Sequence, residues 1–144
     1  MELKKFESFE KEKIIYTALF VNDIEQLKEK YPPVHLNEYY HHSTIAYQPK
    51  GGSDDLDIGR EHTLSIIGRV TSDKVDTLLV VNEKSTKEHP HITLSIAKGV
   101  TPVVSNEEIA KAIQEGTVIP LEDTITVTEG YFNTKHEVVI KKNE

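Results

Sequence analysis

The chain has 144 residues, 37% hydrophobic and 28% charged, which suits one domain with its own core. Its 17 Lys+Arg against 24 Asp+Glu leave a formal charge of −7, which disfavours a long duplex nucleic acid, because such binding rests on cationic neutralisation of phosphates. There is no cysteine, so disulfides, thiolate metal sites and a cysteine nucleophile are excluded.

Residues 1–13 are charged, with Phe6 and Phe9 three apart, and read as an N-terminal arm or short docking helix. This segment has basic residues but no apolar h-region of its own, so a secretory signal is not expected and the cytoplasm is. Apolar runs are too short to span a membrane. Residues 14–21 are β-branched and apolar, the composition of a buried strand. Asn22 with Glu25 is a loose capping box for a helix that Pro32-Pro33 must end. Residues 39–47 read as one strand, and residues 48–59, with Pro49 and Gly51-Gly52, as a long loop suited to covering a cleft. Residues 63–70 and 76–81 flank a short polar turn and predict an antiparallel hairpin. Residues 91–97 predict a further strand. Ser105 with Glu108 predicts a capped helix that Gly116 ends, and two strands follow at 124–131 and 136–141. Strands outnumber helices and lack βα alternation, so the expected fold class is α+β, with helices packed on largely antiparallel sheet in a single domain spanning 1–144.

Seven histidines are the main chemical resource: His35, His41, His42, His62, His89, His91 and His136. Imidazole titrates near neutrality and can give or take protons at cellular pH. Two of the seven share a pattern, His42-Ser43-Thr44-Ile45 and His91-Ile92-Thr93-Leu94, each on a predicted strand. Side chains two apart on a strand share a face. His42 therefore accompanies Thr44, and His91 accompanies Thr93 and Ser95, while His41 is expected on the opposite face. Two such strands on one cleft would supply two imidazoles and two hydroxyls, a set suited to phosphodiester hydrolysis without a metal. One imidazole takes a proton from water and the other gives one to the leaving oxygen. The hydroxyls hold the nonbridging oxygens. Tyr16 and Tyr131 are candidates to stack on a base, and Lys50 and Lys98 to attract phosphate. No metal-binding motif, phosphate-binding glycine loop or nucleophile elbow occurs, and no cofactor is expected.

The two His-x-Thr motifs resemble those of the 2H phosphoesterase superfamily. The strand YTALFV, the hairpin HTLSIIGRV…DTLLVV between the motifs, HITLSIAKGVTPVVSN and GYF near 130–132 resemble its branch of 2′,3′-cyclic-nucleotide phosphodiesterases and tRNA-ligase cyclic phosphodiesterase domains. The resemblance spans roughly residues 14–141. It implies a bilobal fold with two antiparallel sheets around a central cleft, metal-free catalysis, His42 and His91 as the acid–base pair and Thr44 and Thr93 as phosphate holders. His91 would be the base and His42 the acid. The implied substrate is a 2′,3′-cyclic phosphate of a nucleotide or RNA end, and a monomer is expected. Only 49 positions separate the two motif histidines (91 − 42), a compact spacing that resembles small bacterial and phage members. Some of those cleave cyclic oligonucleotide signals, so a cyclic or 2′-5′ oligonucleotide is the alternative substrate. A binding module that no longer turns nucleotide over is a third.

Overall fold

The structure, a computed structural model, describes residues 13–141. The expected N-terminal arm lies outside the described residues, apart from Lys13. Eight strands and two helices follow in the order β1 (Ile14–Val21), α1 (Ile24–Lys30), β2 (Asn37–Glu38), β3 (His42–Tyr47), β4 (Glu61–Thr71), β5 (Val75–Val80), β6 (His91–Ile96), α2 (Val104–Glu115), β7 (Ile119–Asn133) and β8 (Val138–Val139). The fold is α+β and its strand pairs are antiparallel. The strands form a single hydrogen-bonded path, β2-β6-β5-β4-β7-β1-β3, with β8 beside β7, in place of the two separate sheets expected.

The two ends of that path are neighbours in sequence. β2 and β3 are separated only by residues 39–41, and three extended residues reach about 10 Å. The sheet must therefore curl until β6, which pairs with β2, lies near β3. Tyr40 makes the connection. Its N–H donates to the Thr93 carbonyl at 3.0 Å, while one residue on, the His41 carbonyl accepts from Val21 N–H at 2.9 Å. The chain thus passes from β6 to β1 within two residues, and Tyr40 does so at φ 55°, in the left-handed region that a bulky residue rarely occupies. Its buried ring and a 2.6 Å hydrogen bond from its hydroxyl to the Tyr31 carbonyl hold it there. This break is why residues 39–47 are not one strand.

The main core lies inside the curl, built from Leu19, Val21, Leu64, Ile66, Leu78, Val80, Ile92, Leu94 and Val127 with Tyr31 and Tyr40. A smaller core under α2 joins Val70 and Leu79 to Ile109 and Ala112. β5 lies between the two and every one of its residues is buried, whereas β4 alternates, with Leu64, Ile66 and Val70 inward. Asp23, not Asn22, caps α1, accepting from Gln26 N–H at 3.0 Å. Asn22 is occupied by Glu61 and Thr128. Helix α2 begins a residue before Ser105, after a turn in which the Thr101 and Pro102 carbonyls accept from Val104 and Ser105. Ser105 is therefore not the cap, and no side chain caps this helix. Gly116 does end it, at φ 70°. β7 runs longer than residues 124–131. Pro120 stands opposite Gly68, beside a register shift in the β4–β7 ladder and near the start of β7, positions at which a strand proline is tolerated.

Candidate active site

Each His-x-Thr motif occupies the start of a strand at the closure of the sheet. On β3, His42 stands opposite Phe20 and Thr44 opposite Ala18 of β1. On β6, His91 stands opposite Leu79 and Thr93 opposite Thr77 of β5. The residue between each pair turns inward. Ser43 is buried and accepts from Asn82 Nδ2 at 3.1 Å, and Ile92 enters the main core. The two copies share a further property. In the β1–β3 register Ile45 has no partner, and in the β5–β6 register Leu94 has none, so a β-bulge falls on the apolar residue after each threonine. The loop before β6 ties the copies together. Ser85 Oγ donates to the Thr44 carbonyl at 2.8 Å, and Thr86 N–H donates to the carbonyl of the bulged Ile45 at 2.8 Å.

His42, Thr44, His91 and Thr93 line one cavity of about 800 Å³, together with Tyr16, Tyr39, His41, Tyr47, Lys87, Phe132 and the start of α2 at Pro102, Val103 and Asn106. No Asp or Glu is among these residues, although the chain as a whole is acidic. The cavity therefore offers imidazoles, hydroxyls, one ammonium and aromatic walls, a lining that welcomes an anion carrying a flat apolar group.

His91 Nδ1 lies 2.9 Å from the His89 carbonyl. A carbonyl only accepts, so in the neutral ring Nδ1 carries the proton and Nε2 keeps its lone pair, the form a general base needs. Burial chiefly lowers the pKa of His91, and the nearby Lys87 ammonium adds to this; the His89 carbonyl opposes them only in part. His42 is more strongly affected. Burial first, then the neighbouring His41 and His91, push it down to about 3. Its Nδ1 lies 2.9 Å from His41 Nδ1 and 3.4 Å from the Tyr16 hydroxyl. Tyr16 is itself pushed up to about 12 by burial and keeps its proton at cellular pH. Its ring stacks on His42 at 4.5 Å and on Phe132 at 5.2 Å between centroids. Thr93 Oγ1 lies 3.4 Å from Ser105 Oγ at the start of α2, and Thr44 has its hydroxyl at the cavity.

Of the residues singled out in the sequence, Tyr16, His42, Thr44, His91 and Thr93 are brought together and Ser95 and Tyr131 are not. Ser95 is buried and its Oγ accepts from Val34 and His35 N–H, at 3.3 and 3.1 Å. The alternation that would have placed it beside Thr93 is interrupted by the bulge at Leu94. Tyr131 is paired with Thr17 and faces Lys50 and Gly51-Gly52 in a separate hollow, while its neighbour Phe132 turns toward the histidines. Lys50 belongs to that other hollow and Lys98 does not line the cavity. Residues 48–59 do not reach it either. They are held by the buried Glu129, which accepts from Asp57 N–H at 2.6 Å, His62 Nε2 at 2.7 Å and Lys84 Nζ at 2.5 Å. His41 lines the cavity rather than the opposite face, because it precedes the strand and follows the left-handed Tyr40, so strand alternation does not govern it. His41, Tyr47, Lys87 and Phe132 were not found by pattern. Only adjacency to His42 could have signalled His41, and nothing in the spacing signals Lys87. Among the described residues, no three or more His, Asp or Glu side chains group as a metal site would require.

Comparison of the chain with protein-family models and with curated proteins returns no match.

Proposed function

We propose that the protein is a phosphodiesterase that opens a 2′,3′-cyclic phosphate of a nucleotide or RNA end by two-histidine acid–base catalysis, in the manner of the 2H phosphoesterases its motifs resemble. The observation that carries this reading is the convergence of His42, Thr44, His91 and Thr93 on one carboxylate-free cavity. In this scheme His91 Nε2 takes a proton from the attacking water. Phosphorus forms a bond to the water oxygen and loses its bond to the 2′ or 3′ oxygen, which is protonated from the His42 side. Thr44 and Thr93 donate to the nonbridging oxygens, and Lys87 faces their growing charge. Tyr47, exposed at the rim of the cavity, offers the base a stacking surface on the strand that carries Thr44. The two lobes of the family's fold would correspond to the halves of the curled sheet that bear β3 and β6.

A second reading is a cyclic or 2′-5′-linked oligonucleotide substrate. Tyr39 and Tyr47, 41% and 60% exposed, border the same cavity on either side of the motif and could each receive a base.

A ³¹P NMR time course with 2′,3′-cyclic AMP in EDTA tests the reading. Conversion to one phosphomonoester, lost in His42→Ala and His91→Ala, is expected. Turnover surviving in both variants would sink the assignment. Conversion only of cyclic oligonucleotides would establish the second reading, and tight binding without turnover of either would leave a binding module.

A further inference from the structure

The two motif histidines pose a chemical difficulty. Both lie in surroundings that favour the neutral ring, and a neutral imidazole N–H is too weak an acid to protonate a leaving alkoxide. The positive charge needed for that step must be held close by. His41 provides a place for it. Its Nδ1 is 2.9 Å from His42 Nδ1, shorter than the 3.4 Å contact of the same nitrogen with the Tyr16 hydroxyl. Two nitrogens at that distance share one proton.

Building on the two-histidine reading, we propose that the general acid is the His41–His42 pair, with His41 holding the charge and passing its Nδ1 proton to His42 Nδ1 as His42 Nε2–H goes to the leaving oxygen. Before the step His41 is an imidazolium and His42 is neutral, protonated at Nε2. As the P–O bond breaks, the alkoxide takes the proton from His42 Nε2, and His42 Nδ1 takes the one from His41 Nδ1. Afterwards both rings are neutral: His42 carries its proton on Nδ1, and His41 on Nε2. The proton gained by His91 from water and the one lost by the pair balance, and exchange with solvent resets both.

The surroundings fit this division of labour. His42 is the more deeply placed ring, packed against Tyr16 and tilted against Phe20. His41 meets Phe20 edge-on at 5.4 Å, and burial lowers its pKa less far than that of His42. The titratable and charged groups facing the pair are Tyr16 from β1, His91 from β6, Lys87 from the loop before β6, and Tyr39 and Tyr47 at the cavity edge. No carboxylate in the cavity lining would fix the charge on His42 instead. His41 acts through His42 and is a positioning residue.

The test combines kinetics with ring-nitrogen NMR on the full chain. In His41→Asn the side-chain amide can still donate to His42 Nδ1 but cannot titrate, so mere orientation would be preserved. With 2′,3′-cyclic AMP, His42→Ala should be inactive, and His41→Asn should lose about 10²-fold in kcat/KM, a general-acid contribution. Its alkaline limb should also shift. Normal activity and an unchanged limb in His41→Asn, with His42→Ala inactive, would overturn the relay and leave the two-histidine reading standing. An unsubstituted protein inactive on every phosphodiester would overturn both. Independently of any variant, the ¹⁵N shifts of the native protein should show neutral His42 protonated at Nε2; protonation at Nδ1 would overturn the relay.

Discussion

Tyr47 stands directly opposite Tyr16 in the β1–β3 ladder and lines the same cavity as His42 and Thr44, although it lies an odd number of residues from both. Strict alternation would have sent it to the other side of the sheet. The unpaired Ile45 between them reverses the alternation, so the bulge brings an aromatic ring onto the face that holds the motif. Phe132, opposite Tyr16 on β7, completes a row of three rings across three strands.

That row predicts how binding divides from chemistry. Stacking of a base on an aromatic side chain is worth about 1–3 kcal/mol. Tyr47→Ala should therefore raise KM for a cyclic nucleotide by about 5- to 10-fold, the low end of that range, with kcat little changed. Steady-state kinetics measure this, and a fall in kcat at constant KM would contradict it.

Acid stability follows from His42. Its pKa is pushed down to about 3 in the folded protein, against an ordinary value of 6.5. Between those values the unfolded chain binds a proton that the folded chain refuses, so stability must fall as pH falls below 6.5. It should be unaffected by this group above it. The folding equilibrium constant should drop by about tenfold per pH unit for a group so shifted. Urea midpoints from pH 8 to 4 measure the slope, and His42→Gln should flatten it.

Activity should have an acidic optimum. A base must be neutral to act, and burial lowers the pKa of His91, so the acid limb of kcat/KM should lie below 6.5. Burial also lowers His41, which places the loss of the pair's proton, and the alkaline limb, on the acidic side of the usual histidine range. An optimum at pH 8 or above would contradict both directions.

Glu129 should be a stability residue remote from the chemistry. Burial pushes its carboxyl up, but Lys84, the Asp57 amide and His62 outweigh it and hold the pKa below its usual value. Glu129→Ala leaves Lys84 and His62 without their carboxylate partner and removes the acceptor of the Asp57 N–H. Removing one member of a buried charge pair costs about 3–5 kcal/mol. Chemical denaturation should show that loss, with earlier proteolysis between residues 50 and 60.

Ser95→Ala separates packing from binding. Its hydroxyl accepts two backbone N–H groups, so the variant should lose about 1–3 kcal/mol of stability. KM for the cyclic nucleotide should not change in the folded protein.

The amino-acid sequence by itself determined the strands with clear composition and periodicity, the helix end at Gly116 and the residues of the two motifs. These are local properties: β-branched runs, period-two alternation and a glycine where the chain turns left-handed. Local rules also misplaced residues where distant contacts decided the conformation. Tyr40 takes a left-handed backbone because its ring is buried and its hydroxyl is bonded to Tyr31, and that turn sets His41 beside His42. The bulges at Ile45 and Leu94 depend on partner strands far along the chain, and on them rest the turn of Tyr47 into the cavity and the end of the alternation at Ser95. Lys87 reaches His91 because Ser85 and Thr86 bond to β3. The motif histidines were legible as a pattern; the company they keep is set by how the curled sheet brings its two ends together.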